Sequence, residues 1–423
     1  MTTSDRAGGT GEAYVWVWLP DATSPVVAGR LERSRGTNVI GFRYGRSYLE
    51  RDDAIALYEP ELPLRPGVIE PLPGLNIASS IRDAGPDAWG QRVILARHTG
   101  HLSSSSDTAD LDQLTYLLES GTNRIGGLDF QASSTEYVPR ADTAPLTDLQ
   151  RAAEALENGE GLPDDLATAL LRGTSIGGAR PKVLVEYAGR HLVAKLSSTT
   201  DRYPVVKAEA VAMALARRVG LDVPNTSVIN SMGKDVLIVE RFDRTAVLGQ
   251  RRLMVSALTM LGLDEMMARY ATYADMADLI RARFASPNDT LRELFTRIVF
   301  NVCIGNTDDH ARNHAAFWDG RMLTLTPAYD LCPQLRSGGE AAQAMAIDHD
   351  GSRTSQLRVC LNAAPVYHLD RADARAIIEA TVAVIRAQWK DASEEAHLAV
   401  GERTRLWGRQ VLNQFVFEGL PPS

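Results

Sequence analysis

Hydrophobic residues follow two different rhythms along this 423-residue chain. From Tyr14 to about Leu64, Val, Trp, Tyr and Phe are frequent, Pro and Gly interrupt them, and helical spacing is scarce, which predicts a small antiparallel sheet. A Pro/Gly bridge at Pro71 to Gly74 leads to Asp87, Trp89, Arg92 and Leu95, spaced for a helix opening after Pro86. Ser103 to Ser106 with Asp107 read as a polar loop, and Leu111 to Leu118 resume helical spacing. Two β-type runs, 182–187 and 191–196, flank Ala188-Gly189-Arg190 and predict a hairpin. Val205, Ala208, Ala212, Leu215, Ala216 and Val219 line one face of a helix ended by Gly220 and Pro224. Residues 236–242 read as a strand. Beyond Leu253 the pattern is helical, over 254–263, 272–284, 290–305, 370–389 and 395–415. A β-rich first part and a helical last part imply an α+β protein of two lobes. The expected division is a polar tail at 1–12, an N-terminal subdomain at 13–150, a third unit at 151–245 and a helical lobe at 246–423.

Composition narrows the function classes. The formal charge of −8 provides no global cationic field for gathering nucleic acid, so any DNA contact is expected through a partner or a local patch. No run approaches the roughly 18 apolar residues of a membrane helix. The opening MTTSDRAGGTGE lacks the apolar core of a signal peptide, and Cys303, Cys332 and Cys360 are odd in number and scattered. Both features suit a reducing cytoplasm.

Candidate chemistry concentrates in GNTDDHARN, residues 305–313, at the end of a helix whose Leu291, Leu294, Phe295, Ile298, Val299 and Val302 form a buried face. Asp308 and Asn313 are five apart, the spacing of the kinase catalytic loop, in which a carboxylate accepts the substrate hydroxyl proton and an amide oxygen binds magnesium. A solvated capping loop would use the same residue types. The residues beyond Asn313 favour the kinase loop: AAFW, the turn Asp319-Gly320 and RMLTLT form a hairpin signature that delivers the chain to Asp330 in PAYDL. Two carboxylates and an amide are hard oxygen donors of the kind Mg²⁺ requires.

Glu209 interrupts the apolar stripe of the 205–219 helix, and an unpaired carboxylate there would cost roughly 3–5 kcal/mol. Its natural partner is Lys195 in HLVAKL, the strand-lysine and helix-glutamate device that holds a lysine against ATP phosphates; a surface glutamate is the alternative. Upstream, Gly177 and Gly178 permit close backbone approach to phosphate, and Arg180 and Lys182 add charge, although a Gly-Gly turn before a strand is commonplace and the G-K-[ST] ending of a Walker loop is missing. A phosphate on Thr174 or Ser175 would add about −1.5 to −2 charges to that loop.

In order, SIGGARPK, the AKL lysine strand, LIVERFDR, NTDDHARN and LTPAYDL resemble the HipA family of toxin–antitoxin kinases. The N-terminal VWLPDATSPVVAGRLE and DAGPDAWGQRVI segments are similar to that family's N-terminal subdomain. The resemblance implies a two-lobed protein-kinase-like fold and a Mg²⁺- and ATP-dependent serine/threonine kinase. It makes Asp308 the catalytic base and Asn313 and Asp330 the metal ligands. Lys195, Lys182, Gly177, Gly178 and His310 would face the nucleotide, and Glu240 and Phe242 would meet adenine. Ser175 would be the self-phosphorylated residue. His310 and Arg312 would steady the loop or the transferring phosphate, or simply cap it. Asp309 stands where the family often has a small residue, either recruiting metal or facing solvent. The implied partners are a translation-related protein substrate such as an aminoacyl-tRNA synthetase and a small DNA-binding antitoxin. A catalytically silent co-repressor of that antitoxin is the alternative, and a phosphohydrolase using Asp308, Asp309 and His310 is a third reading without a second histidine cluster to support it.

Overall fold

A computed structural model describes residues 11–34, 36–99, 108–140, 144–158, 160, 181–198, 201–336 and 338–420. Thr174, Ser175, Gly177, Gly178, Arg180 and the Ser103–Asp107 loop lie outside the described residues. The chain divides into two compact units. The first comprises Met1–Thr199, Asp243–Met254 and Asp319–Arg321, and the second Thr200–Phe242, Val255–Trp318 and Met322–Ser423.

The first unit contains the expected antiparallel sheet, built from β1 (Glu12–Val17), β2 (Val26–Arg33), β3 (Ile40–Tyr44), β4 (Val68–Ile69) and β5 (Leu128–Gln131) in the order β4-β3-β2-β1-β5. Ala13, Val15 and Val17 alternate inward on β1, while Trp16 and Trp18 are buried as well, as befits a central strand. Strand β5, unforeseen in the sequence, pairs with β1 from Tyr14↔Gln131 to Val17↔Leu128. Beside it the fully buried Arg124 guanidinium donates to Asp129 Oδ1 at 2.7 Å and Ser120 Oγ at 2.5 Å, and lies 4.8 Å from the Phe130 ring centroid. The expected helix after Pro86 is α1 (Ala88–Thr99), and α2 spans Leu146–Glu157.

Strands β6 (Lys182–Tyr187) and β7 (Arg190–Leu196) form the foreseen hairpin around the two-residue turn Ala188-Gly189. Leu192, Ala194 and Leu196 point inward on β7. The alternate positions, His191, Val193 and Lys195, are only half-buried, as period-two alternation requires.

The second unit opens with α3 (Val205–Val219), whose ends match the sequence reading. Its burial does not follow a single stripe. Residues from Ala208 through Ala216 are all buried, whereas Val205 and Val219, assigned to the stripe, are half-buried at the ends. Strand β8 (Thr226–Ser231), unforeseen, pairs with β9 (Lys234–Glu240). The expected helix at 254–263 is instead the strand β10 (Met254–Ser256) followed by the single turn Ala257–Met260, capped by Ser256 Oγ, which accepts from Thr259 N.

Helices α4 (Tyr273–Arg283), α5 (Pro287–Ile304) and α6 (Arg371–Glu395) pack together, with α6 also against α3. Pro287 starts α5 at a position where no intrahelical N–H is required. The six predicted apolar positions of α5 are all buried, each contributing roughly 1.5–3 kcal/mol. The run assigned to 395–415 is helical only at Val400–Leu406, with a 3-10 turn at Gln414–Phe417. After α5, β11 (Ala315–Trp318) and β12 (Leu323–Leu325) form the hairpin read from Asp319-Gly320, with Trp318 opposite Leu323.

Candidate active site

Helix α5 holds the GNTDDHARN segment at its C-terminal end. Gly305 ends the helix at φ +71°, and Asn306 N donates back to Asn301 O at 2.9 Å, closing the last turn. The chain then extends through Asp308 and Asp309 and tightens into a 3-10 turn, Ala311–Asn313. On such an extended stretch neighbouring side chains diverge. Asp308 is exposed, while Asp309 is only 1% exposed.

Asp308, His310, Asn313 and Asp330 share one neighbourhood. The affinity of Asp308 for its proton is raised, first by partial burial and then by the Asp330 and Asp309 carboxylates, against an opposing pull from His310. Carboxylates and an amide oxygen are hard donors of the kind a divalent cation takes. Asn313 Nδ2 donates to Asp308 O at 3.2 Å, which commits the nitrogen of that amide to the loop and leaves its oxygen as the end suited to a metal. Asp330 adopts φ +60°, a left-handed conformation that side chains other than glycine, asparagine and aspartate rarely take. His310 Nδ1 is buried and has no hydrogen-bond partner among the described residues. The donor set and this open nitrogen fit Mg²⁺ and phosphate oxygens.

The PAYDL segment is anchored from both sides. Tyr329 Oη donates to Arg312 O at 2.7 Å, tying the residue before Asp330 to the GNTDDHARN segment. The buried Arg297 on α5 donates from Nη2 to Thr326 O at 2.8 Å and from Nε to Glu293 Oε1 at 3.0 Å. The Phe242 ring lies 5.7 Å from that of Tyr329 and 6.1 Å from that of Phe317, so the expected adenine-packing residue adjoins the Asp330 segment. Glu240 N donates to Asn225 O at 2.9 Å, and Glu240 Oε2 accepts from Asn225 Nδ2 at 2.8 Å. Arg312 donates from Nε to Glu265 Oε2 at 3.0 Å, a pairing with no counterpart in the sequence reading.

Glu209 is 5% exposed, which removes the alternative of a surface glutamate. In the first unit, Lys182 and Lys195 stand directly opposite each other across the β6–β7 hairpin, on the same face. Two cationic side chains at one cross-strand position suit an anion. The LIVERFDR motif divides between the units: Glu240 and Phe242 belong to the second, Asp243 and Arg244 to the first. There Asp243 Oδ2 accepts from Gly126 N at 2.7 Å, and Arg244 donates to Asn123 Oδ1 at 2.9 Å and Arg124 O at 2.7 Å.

Asp309 departs from both sequence readings. Its carboxylate neither faces solvent nor joins Asp308 in a metal site. Oδ2 accepts from Tyr273 Oη at 2.5 Å and Asn301 Nδ2 at 2.7 Å, and lies 2.9 Å from His314 Nε2. The phosphohydrolase reading loses one of its three residues. Arg297 and Asn301, absent from the sequence reading, left a signal all the same: two polar residues four apart in an otherwise apolar helical stretch, on one side of α5.

The sequence profile of the HipA-like C-terminal domain matches residues 174–389, just over half of the chain. The protein belongs to the HipA kinase family. A Sinorhizobium fredii relative bearing a kinase name, Y4mE, is 28% identical over 322 residues, covering 69% of this chain and 71% of the relative. The serine/threonine-protein kinase toxin HipA of Shewanella oneidensis is 27% identical over 259 residues, covering 54% of this chain and 59% of that protein. Among solved structures, a chain from the Shewanella oneidensis complex of HipA, HipB and operator DNA superimposes with a TM-score of 0.66 at 18% identity, covering 92% of this chain and 97% of the other. The fold is thus the α+β, two-lobed kinase-like fold of HipA. No described helix is long and apolar enough to cross a membrane.

Proposed function

We propose that this HipA-family protein transfers the γ-phosphate of Mg-ATP to a serine or threonine hydroxyl of a protein. The observation that carries the reading is the loop geometry: Asn313 Nδ2 donates to Asp308 O at 3.2 Å, and Tyr329 Oη, from the residue before Asp330, donates to Arg312 O at 2.7 Å in the same loop. Asp308 takes the hydroxyl proton, a role worth about 10² to 10⁴ in rate. Asn313 and Asp330 hold Mg²⁺, which when bound would neutralise charge on the transferring phosphoryl group. Phosphate oxygens are assigned to Lys195 and Lys182, together with Gly177 and Gly178. His310 offers its open Nδ1 to the same oxygens, and Glu240 and Phe242 receive adenine.

Ser175, outside the described residues, is the proposed self-phosphorylation site. The proposed partner is a small DNA-binding antitoxin, in line with the HipA–HipB–DNA complex of the structural relative. The proposed substrate belongs to translation, an aminoacyl-tRNA synthetase being the example. Asp308→Asn tests the assignment. ATP affinity should stay within about threefold, while transfer, including self-labelling from γ-labelled ATP, should fall by about 10²-fold or more. Unchanged self-labelling in that variant would refute Asp308 as the base.

A further inference from the structure

Phosphoryl transfer demands that the base be held in place before substrate arrives, and the exposed Asp308 carboxylate has no hydrogen bond among the described residues to hold it. Its neighbour in sequence is fastened from three directions. Asp309 Oδ2 receives Tyr273 Oη from α4, Asn301 Nδ2 from the last turns of α5, and His314 Nε2 from the residue just before β11. All four residues are 3% exposed or less. Asn306 Nδ2 extends the network by donating to Asn301 Oδ1 at 3.1 Å, and Ala257 N donates to His314 O at 2.8 Å. The Tyr273 and His314 rings meet edge-on with centroids 5.7 Å apart, which sets the direction of both donors.

We propose that Asp309 is the positioning residue of this active site, an internal anchor that locks the catalytic loop to α4, α5 and β11 so that Asp308 is aimed outward at the acceptor hydroxyl. The inference rests on the kinase reading for its chemistry, but the anchoring is a property of the loop itself. An ordinary buried carboxylate would be expected to stabilise the fold without selectively affecting turnover. This one is one peptide bond from the proposed base, and its three donors come from three separate elements. Loss of the acceptor leaves those donors unpaired in the interior and frees the loop to relax, and a misplacement on the order of 1 Å can cost about 10²-fold in rate.

The test uses the full chain and four variants: Asp309→Ala, Asp309→Asn, Tyr273→Phe and His314→Gln. Three readouts are ADP formation from Mg-ATP, the dissociation constant for Mg-ATP, and hydrogen exchange of the amides at 306–313. Asp309→Ala should lower turnover by about 10²-fold with nucleotide affinity within about threefold, and speed exchange across the loop. Asp309→Asn retains an oxygen acceptor and should recover most of the lost turnover. Tyr273→Phe and His314→Gln, which each alter one contact and are less exposed to outright unfolding, should fall in between, about 5- to 10-fold down. The proposal is overturned if Asp309→Ala exchanges at the parental rate over 306–313, or if it exchanges faster yet turns over within threefold of an active parent. A parent chain that forms no ADP sinks the kinase reading, and the exchange comparison still decides the anchor independently.

Discussion

Replacing Gly305 by alanine perturbs the junction between α5 and the proposed catalytic loop at its most constrained point. Gly305 has φ +71°, which an L-residue adopts at a cost of about 1–2 kcal/mol. An added Cβ would also stand 2.6 Å from Gln410 O, a backbone atom rather than the end of a flexible side chain. That carbonyl has little freedom to recede: Gln410 N donates to Leu406 O at 3.0 Å, and Leu412 N to Cys303 O at 2.7 Å. Overpacking of this kind costs about 1–3 kcal/mol, so Gly305→Ala should lose about 2–5 kcal/mol in all. Gly351 separates the two contributions, since it has φ +81° and nothing within 4 Å of an added Cβ. Gly351→Ala should lose only the conformational part, about 1–2 kcal/mol. Urea unfolding followed by tryptophan fluorescence measures both variants against the parent. Turnover should fall further for Gly305→Ala, because Gly305 O also accepts from Gln334 N at 2.9 Å, joining the end of α5 to the chain beyond Asp330. Equal losses at the two positions, or a Gly305→Ala protein within about 0.5 kcal/mol of the parent, would show that the close approach to Gln410 has no energetic consequence.

Buried and crowded charges give two further expected outcomes. Arg297→Met should destabilise the fold by about 2–4 kcal/mol in urea unfolding and reduce turnover, because Thr326 O loses its donor four residues before Asp330; Arg297→Lys should not restore both, since one ammonium cannot reproduce the fork that reaches Glu293 and Thr326. For Asp308, burial and then the charges of Asp330 and Asp309 raise the folded-state affinity for a proton, so the acid limb of kcat/KM should lie above the ordinary 3.8. The same shift has a sign in stability. Asp308 contributes favourably below 3.8 and that contribution is lost as pH rises through the folded value, so Asp308→Asn should be relatively more stable than the parent at neutral pH than at pH 3, as thermal unfolding at the two pH values will show.

Much of the candidate site could be read from the sequence because the residues that the kinase reading calls on sit at short, fixed spacings. Asp308 and Asn313 are five apart, and the hairpin signature between them and Asp330 is local turn chemistry. Glu209 was legible for a related reason: a carboxylate amid small apolar residues announces a cost that the fold must meet, and its burial on α3 agrees. The helices misjudged at 254–263 and 395–415 failed because short apolar runs do not distinguish a strand or an isolated turn from a helix.

Local periodicity and residue chemistry were therefore enough for α3, α5, the β6–β7 and β11–β12 hairpins and the identity of the candidate reacting groups. Only the tertiary structure decided the inward turn of Asp309, the pairing of β5 with β1 and the burial of Arg297 and Asn301. The physical reason is separation along the chain. Tyr273 reaches Asp309 across 36 residues and Tyr14 meets Gln131 across more than a hundred, and the side of a backbone on which a polar group finds its partner depends on which distant element packs there.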